Sequence, residues 1–434
     1  MKVLLLLYDC IFFLGFIIYL PVYIWRKKIN FSAFCQKFGL VKNLASGEAI
    51  WIQVVSVGEA NVIGSLIQKI REYYDNQIII STTTLTGNRI AKNKYSDCAQ
   101  VVFFPLDLSI VIKHFIKVFR PKVFIAVETE IWPNLFFQLA ARKIPILIIN
   151  GRISDKAFKR YKLIRSVLKV VINKCSYIAV QNEMYKERFC FLGADEGKIV
   201  VSGNMKFESI SIDQKVSANI KKVYEPILKG SDKLLFVAGC THPGEEEILL
   251  EVYKDVVEPS GNFRFLIAPR HPERVAAVEK LARFKGFEPF KVSQISNCFL
   301  QGANKSKNPV FILDTIGELF YFYGLADICF VGGSLSPDGG HNILEPIYLE
   351  KPTIFGCHMD NFLDVEEVVL EKGAGIKVED KEQLRQVLLR LVKDEALRKN
   401  LSSRCHEVFQ QERQSLDKNL KIVLQSLALN KGNV

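Results

Sequence analysis

Ser56-Val57-Gly58-Glu59 follows an apolar run at 49–55 and opens a helical pattern at 59–74. The glycine allows a tight turn, and Glu59 lands in the first helical turn. The helix dipole favours a carboxylate there, and the residues alone leave a chemical role open beside that structural one. Glu128 and Glu130 leave a second apolar run at 123–127 and meet Trp132, with Pro133 suited to a helix start. Acids at a strand end beside an aromatic residue are costly to bury unless paired or used. Helix capping is the alternative. Lys206, in Gly203-Asn204-Met205-Lys206-Phe207, can reach an anion or can be an ordinary hinge residue.

Four more polar turns follow apolar runs in the second half. Gly239-Cys240-Thr241-His242-Pro243-Gly244-Glu245-Glu246 resembles a phosphate-cradling turn that leads into a helix. In Ala268-Pro269-Arg270-His271-Pro272, Arg270 can clamp a phosphate or carboxylate through two parallel N–H bonds. Asp314-Thr315-Ile316-Gly317-Glu318 comes next, then Val331-Gly332-Gly333-Ser334-Leu335 and Gly339-Gly340-His341-Asn342-Ile343-Leu344-Glu345-Pro346. Glycines let backbone approach a ligand, and a strand-end acid can hold ribose hydroxyls. Any one of these is ordinary turn chemistry; four at successive strand ends point to a ligand site.

The elements that carry these turns alternate. Strand patterns at 49–55, 77–81, 100–104, 123–127, 144–149 and 177–180 are mostly separated by helix-length stretches. The series pauses over a polar stretch near 207–233 and restarts at 234–238, 263–268, 310–313, 328–331, 353–355 and 375–378. This alternation predicts an α/β chain with two doubly wound parallel sheets covered by helices. The expected divisions are a membrane anchor with basic flank at 1–28, a first domain at 29–207, a hinge at 208–232 and a second domain at 233–434 with terminal helices.

Length and composition agree. A chain of 434 residues suggests two or three domains, and 49% hydrophobic residues exclude a disordered chain. The net charge of +12 suggests an anionic partner. No nucleic-acid-binding module is recognisable, so nucleic acid is excluded. The ten cysteines show no C-x-x-C spacing, which argues against a zinc ribbon or redox motif. No G-x-G-x-x-G opens the first unit, and there is no P-loop, D-x-D pair or H-x-x-x-H. A nicotinamide enzyme, a metal-bound sugar nucleotide and a zinc hydrolase therefore lack support.

Residues 3–25 are apolar apart from Asp9, and Arg26, Lys27 and Lys28 follow. This predicts an uncleaved membrane anchor with the body on the cytoplasmic side. A cleaved signal peptide would need a small-residue cleavage site, which is missing. A helix in the interface is the next reading, because Asp9 and Pro21 weaken a clean span. Lys156, Lys159, Arg160, Lys162, Arg165 and Lys169 lie on or near one predicted helix. With Phe158 and Tyr161 they can face anionic lipid, or form a solvated face.

Taken in order, SVGE at 56–59, TTTLTG at 82–87, FPLD at 104–107, ETEIWPNL at 128–135, NGRIS at 150–154, QNE at 181–183, GNMKF at 203–207, APRHPER at 268–274, DTIGEL at 314–319, FVGGSL at 330–335 and GGHNILEP at 339–346 resemble one family. They are similar to GT-B glycosyltransferases, and within these to the transferases of 3-deoxy-D-manno-octulosonic acid (Kdo) in lipopolysaccharide assembly. The resemblance implies two Rossmann-like domains facing a cleft, with an N-terminal membrane-anchor helix. It implies an inverting, metal-independent transfer of Kdo from CMP-Kdo to a lipid A precursor, with no cofactor, at the bacterial inner membrane. Glu59 then takes the place of the general base, and Glu128 and Lys206 those of the groups that stabilise the transition state. Pro269, Arg270, Ile316, Gly317, Glu318, Asn342, Ile343, Leu344 and Glu345 take those of the cytidine nucleotide site. Gln53 stands where many members have histidine, and Gly151 where alanine is expected. Another membrane-associated UDP-sugar transferase and a non-catalytic binding scaffold are the alternatives; survival of SVGE, PRHPER and HNILEP argues against decay.

Overall fold

The computed structural model describes residues 2–26, 31–42, 47–208, 213–229, 233–260, 263–294, 308–412 and 414–429. The chain forms two compact units, Met1–Ser209 with Glu412–Val434, and Ile210–Gln411.

The first unit contains β1 (Ala49–Val54), β2 (Gln77–Thr82), β3 (Gln100–Phe103), β4 (Pro121–Val127), β5 (Ile146–Gly151), β6 (Tyr177–Val180) and β7 (Ile199–Val201). They pair in parallel in the order β3-β2-β1-β4-β5-β6-β7. Parallel neighbours need crossovers, and the helices that supply them cover both faces, so inner strands read as continuous apolar runs. In β1 successive side chains take opposite faces. Trp51 joins a core with Phe104, Phe115, Phe119, Phe124 and Phe136. Ile50, Ile52 and Val54 join another with Ile63, Leu66 and Ile70 of the helix Val57–Tyr73.

The second unit contains β8 (Leu234–Thr241), β9 (Phe263–Pro269), β10 (Glu288–Lys291), β11 (Pro309–Ile312), β12 (Ile328–Val331), β13 (Thr353–Phe355) and β14 (Ile376–Lys377). Their order is β10-β11-β9-β8-β12-β13-β14, again parallel. Phe236, Phe265 and Tyr253 lie at its centre, with ring centroids 5.0 and 5.1 Å apart along the series. The expected α/β class and both parallel sheets are present. The short edge strands β7 and β10 were not expected, since three or four residues give little periodicity to read.

The boundaries differ from expectation. The helix Ser415–Leu429, expected in the second domain, packs Leu416, Leu420, Val423 and Leu427 against Ile50, Ile78 and Ile125 of the first. The polar stretch expected as a hinge contains a helix, Gln214–Leu228, capped by Asp213. Tyr224 packs on Phe322 at 5.2 Å, which puts this helix in the second unit. Its charge and its internal Pro226 hid it from a periodicity reading.

The expected membrane-spanning anchor is not shown as a span. Residues Lys2–Arg26 are helical. Among the described residues, however, no helix is long and apolar enough to cross a membrane. Asp9 explains why a charge interrupts the segment. Its Oδ1 accepts from the Ser109 amide at 3.0 Å and from Asn134 Nδ2 at 2.7 Å, so one side of the helix is docked on the first unit. Phe16 meets Phe38 at 5.6 Å. Leu7, Ile11, Leu14 and Ile18, spaced by three or four residues, form an exposed apolar stripe. Lys27 and Lys28 lie outside the described residues.

Candidate active site

In each sheet the chain starts at a central strand, winds to one edge, and returns to wind to the other. The start strands are β1 and β8, so the switch points fall between β1 and β4 and between β8 and β12. Ligands of such sheets bind outside the carboxyl ends at the switch point. Glu59 follows β1 and Glu128 follows β4; His242 follows β8, and the Gly332–Gly340 turn follows β12. The polar motifs thus sit where the topology opens a crevice in each unit.

Ser56 caps the helix Val57–Tyr73, its Oγ accepting from the Glu59 amide at 3.2 Å. Glu59 turns back, and its Oε2 accepts from the Val55 amide at 2.7 Å. This is a variant of the capping box, so the structural role of Glu59 is real. It does not exhaust the residue. Glu59 is buried, and its pKa is pushed up to about 7. Burial is the largest cause, and repulsion by Glu128 comes next. The bonds from Val55 and Ser56 pull the other way, and Glu130 adds a smaller push. A carboxyl that titrates near neutrality beside other carboxylates is a group prepared to exchange a proton.

Glu128 has φ 61°, a left-handed conformation that costs a non-glycine residue about 1–3 kcal/mol. Its amide donates to Ile149 O at 2.9 Å, which ties it to the end of β5. Arg152 Nε lies 2.9 Å from its Oε2. Glu130 Oε2 accepts from Trp132 Nε1 at 2.9 Å. Burial first, and Glu128 after it, push the Glu130 pKa up to about 7 against that hydrogen bond. Lys206 sits on the 3₁₀ turn Met205–Glu208, anchored through Asn150 Oδ1, which accepts from the Met205 amide at 2.9 Å. Asn150 is the strand-end neighbour of Glu128 and is itself left-handed, φ 52°. Glu59, Glu128 and the Lys206 turn therefore belong to one end of one sheet. Gln53 is buried and bonds Ser81 and Thr83, which leaves it a link between β1 and β2. Sequence reasoning gave Arg152 no role and named Glu130 as a strand-end acid without assigning it one. The signal was a base inside the NGRIS motif and a second acid two residues after Glu128. The shallow hollows lined by Gln36, Lys92 and Gln100 and by Arg71, Asp75 and Gln77 open toward the amino ends of β2 and β3, away from these acids.

In the second unit the expected phosphate-cradling turn is already filled. The Glu245 carboxylate accepts from the amides of His242 (3.0 Å), Gly333 (2.7 Å), Ser334 (2.9 Å) and Leu335 (2.8 Å). It staples the turn after β8 to the turn after β12, so these amides are not available to a phosphate. Arg270 follows β9, its amide bonded to Thr241 O at 3.0 Å. Its charge counters the burial that raises the Glu345 pKa, an effect shared with the bond from Asn342 Nδ2 at 3.3 Å. Pro269 ends β9. Ile343 and Leu344 are buried, so only their backbone can meet a ligand. Ile316 is 83% exposed beside Gly317, where φ is 86° and a side chain would meet nothing. Glu318 accepts from the Thr315 hydroxyl and stands at the N-cap position of the helix Leu319–Leu325 without a side-chain cap bond. The nine predicted residues thus lie at three strand ends: Arg270 and Glu345 interact, and the 316–318 turn follows β11, the neighbour of β9.

The basic segment forms two helices, Asp155–Leu163 and Arg165–Ile172. Its six basic residues are exposed as expected. Phe158 and Tyr161 do not face outward; they pack against the first unit's aromatic core. Leu163 (86%), Ile164, Val167 and Val170 take the exposed positions instead.

Comparison with known proteins bears on the family. Residues 32–209 match the family model described as 3-Deoxy-D-manno-octulosonic-acid transferase (kdotransferase). A 3-deoxy-D-manno-octulosonic acid transferase of Haemophilus influenzae is 32% identical over 387 residues, 88% of each chain. One from Rickettsia conorii is 32% identical over 79% of this chain and 71% of its own. A bifunctional glycosyltransferase/methyltransferase of Fusobacterium nucleatum is 37% identical over 79% of this chain, which spans about half (52%) of that longer protein. Among solved structures, UDP-GlcNAc 2-epimerase from Neisseria meningitidis shares the fold, with TM-score 0.54, 12% identity, and 88% of this chain and 100% of that chain covered. So does a glycosyltransferase from Rickettsia africae, with TM-score 0.52, 18% identity, and coverage of 88% and 99%. With its strand-end motifs in place on two parallel sheets, the chain belongs to the family of 3-deoxy-D-manno-octulosonic acid transferases.

Proposed function

We propose that the chain transfers Kdo from CMP-Kdo to a hydroxyl of a lipid A precursor, with inversion at the anomeric carbon and without a metal. The observation that carries this reading is Glu59, a buried carboxyl at a switch point with its pKa near 7. Its Oε2 is held by the Val55 amide, which fixes the carboxylate for proton abstraction. Glu59 takes the proton of the acceptor's primary hydroxyl while the oxygen attacks the anomeric carbon. The bond from that carbon to the phosphate oxygen breaks, and CMP leaves with the electron pair. Glu128 and Lys206 stabilise the oxocarbenium-like transition state. Arg270 answers the charge that grows on the phosphate.

The acceptor is a lipid, and the first unit offers surfaces for it. The stripe Leu7, Ile11, Leu14 and Ile18 and the patch Leu163, Ile164, Val167 and Val170 are apolar and exposed. Lys159, Lys162 and Arg165 border the second, and a surface-adjacent charge adds about 1 kcal/mol on anionic lipid. We place the protein on the inner membrane, its body on the cytoplasmic side, held by an interfacial helix and a basic patch.

Incubation with CMP-Kdo and tetra-acylated lipid A precursor, followed by mass analysis, tests the reaction. The expected product is the precursor enlarged by whole Kdo units with release of CMP. Transfer from a UDP-sugar, with CMP-Kdo left intact, would reject it.

A further inference from the structure

His242 and His341 meet nitrogen to nitrogen. Their Nε2 atoms are 2.8 Å apart, and the rings stack at 5.1 Å. A contact of that length holds one hydrogen, not two and not none. His242 Nδ1 lies 3.3 Å from Asp338 Oδ2, and an ionised carboxylate only accepts. His242 follows β8, while His341 and Asp338 follow β12, so the chain of three bridges the switch point of the second sheet. Gly333 permits the approach: at φ 67°, a Cβ there would stand 2.9 Å from His341 Cδ2.

The charges around the pair call for an anion. Arg270 and His271 face it from the turn after β9, and Asp338 faces it from its own turn. Glu345 faces Arg270. The Glu245 carboxylate lies at the His242 amide, occupied by four backbone donors. Burial, then Arg270 and His242, then His271 more weakly, press the His341 pKa down to about 4, opposed by Asp338. Among the described residues no group of three or more His, Cys, Asp or Glu is arranged to hold a metal ion.

Hydrogen-bond accounting then allows two states. With both rings neutral, His242 donates Nδ1–H to Asp338 and accepts at Nε2 from His341. His341 Nδ1 is left as a bare lone pair, which repels an anion. One added proton, placed on His242 beside Asp338, reverses the inner bond. His242 Nε2–H now donates to His341 Nε2, and the hydrogen of His341 moves to Nδ1. The outer nitrogen becomes a donor.

We propose that His242, His341 and Asp338 form a one-proton relay that binds the anionic phosphodiester of the nucleotide donor, presenting a donor at His341 Nδ1 when the pair takes up a proton. The proposal rests on the nucleotide-sugar reading above and adds residues outside the predicted cytidine contacts. Donor binding should draw a proton from solution, and affinity should fall as pH rises.

The test uses the full chain and the methyl ester of CMP. A phosphodiester does not titrate near neutrality, whereas the second ionisation of CMP's own phosphate lies near pH 6 and would confuse the count. Calorimetry at pH 7.5 in two buffers of different ionisation heat counts the protons. The expected result is net proton uptake and affinity that falls as pH rises above 7, by no more than about tenfold per pH unit, the limit for one linked proton. His341→Gln and His242→Gln should each abolish the uptake and flatten the pH profile. Binding to the parent protein with no uptake overturns the relay, even where a variant fails to fold. So does uptake that survives in both variants. If a uridine nucleotide binds and the cytidine ester does not, the function proposed above fails. The same count on the uridine ligand then decides the relay by itself.

Discussion

Arg152 Nε sits 2.9 Å from Glu128 Oε2, so the acid that most strongly repels Glu59 is itself held by a guanidinium. Arg152 thereby sets how much of the Glu128 charge reaches Glu59. Glu128→Gln removes the repulsion and should move the acid limb of the pH–rate profile to lower pH. Arg152→Ala exposes the full charge and should move it to higher pH. Shifts in the same direction for both variants would show that Arg152 does not act through Glu128.

Glu59→Gln should lose about 10²–10⁴-fold in rate, the usual loss on removing a general base. It should also gain stability at alkaline pH. The folded pKa, about 7, lies above the ordinary 4.5. The native state therefore binds this proton more tightly than the unfolded one, and the stabilisation, full below pH 4.5, is lost as pH rises through 7. The variant's thermal midpoint relative to the parent should rise between pH 5 and pH 8, by an amount corresponding to roughly 2–3 kcal/mol at most. Turnover equal to the parent's would sink the assignment of the base.

A chelator should leave transfer intact, since the proposed chemistry runs through Glu59, Lys206 and Arg270. Activity lost in EDTA and restored by a divalent ion would refute the metal-free mechanism.

Leu163→Glu with Val167→Glu should weaken binding to anionic vesicles without lowering the thermal midpoint, because both side chains are exposed. The binding that remains should fall with salt, as charges beyond about 8 Å are screened at physiological ionic strength. Vesicle binding equal to the parent's would remove this patch from the interface.

Asp9→Ala should destabilise the protein by about 1–3 kcal/mol in denaturant unfolding, because Asn134 Nδ2 and the Ser109 amide lose an acceptor in a partly buried site. An unchanged midpoint would mean that the helix Lys2–Arg26 is not docked by this bond.

What the sequence makes legible follows what is local. Alternation of strand and helix periods exposes both sheets, since fully buried parallel strands are runs such as Ile78-Ile79-Ile80. Glu59 and Glu128 announce themselves because each directly ends an apolar run. Contacts between distant positions leave no such trace. Glu245 reads as a first-turn helix acid, and only the fold shows its carboxylate holding amides some ninety residues away. Asp9 reads as a blemish in an apolar span until Asn134 is found beside it. Phe158 and Tyr161 share a helix with exposed lysines, and the pattern does not say that they turn inward.

The helix Ser415–Leu429 closes one face of β1 and β2, so the first unit is sewn shut by a segment made roughly two hundred residues after the rest of it. During synthesis at about 5–20 residues per second, that face waits on the order of 10–40 s for its cover. Ile50, Ile52, Ile78 and Ile80 are without their final partner throughout that interval. Vectorial folding of this chain therefore completes its second unit before its first. A nascent chain stalled before residue 415 is the species most exposed to chaperones and to self-association.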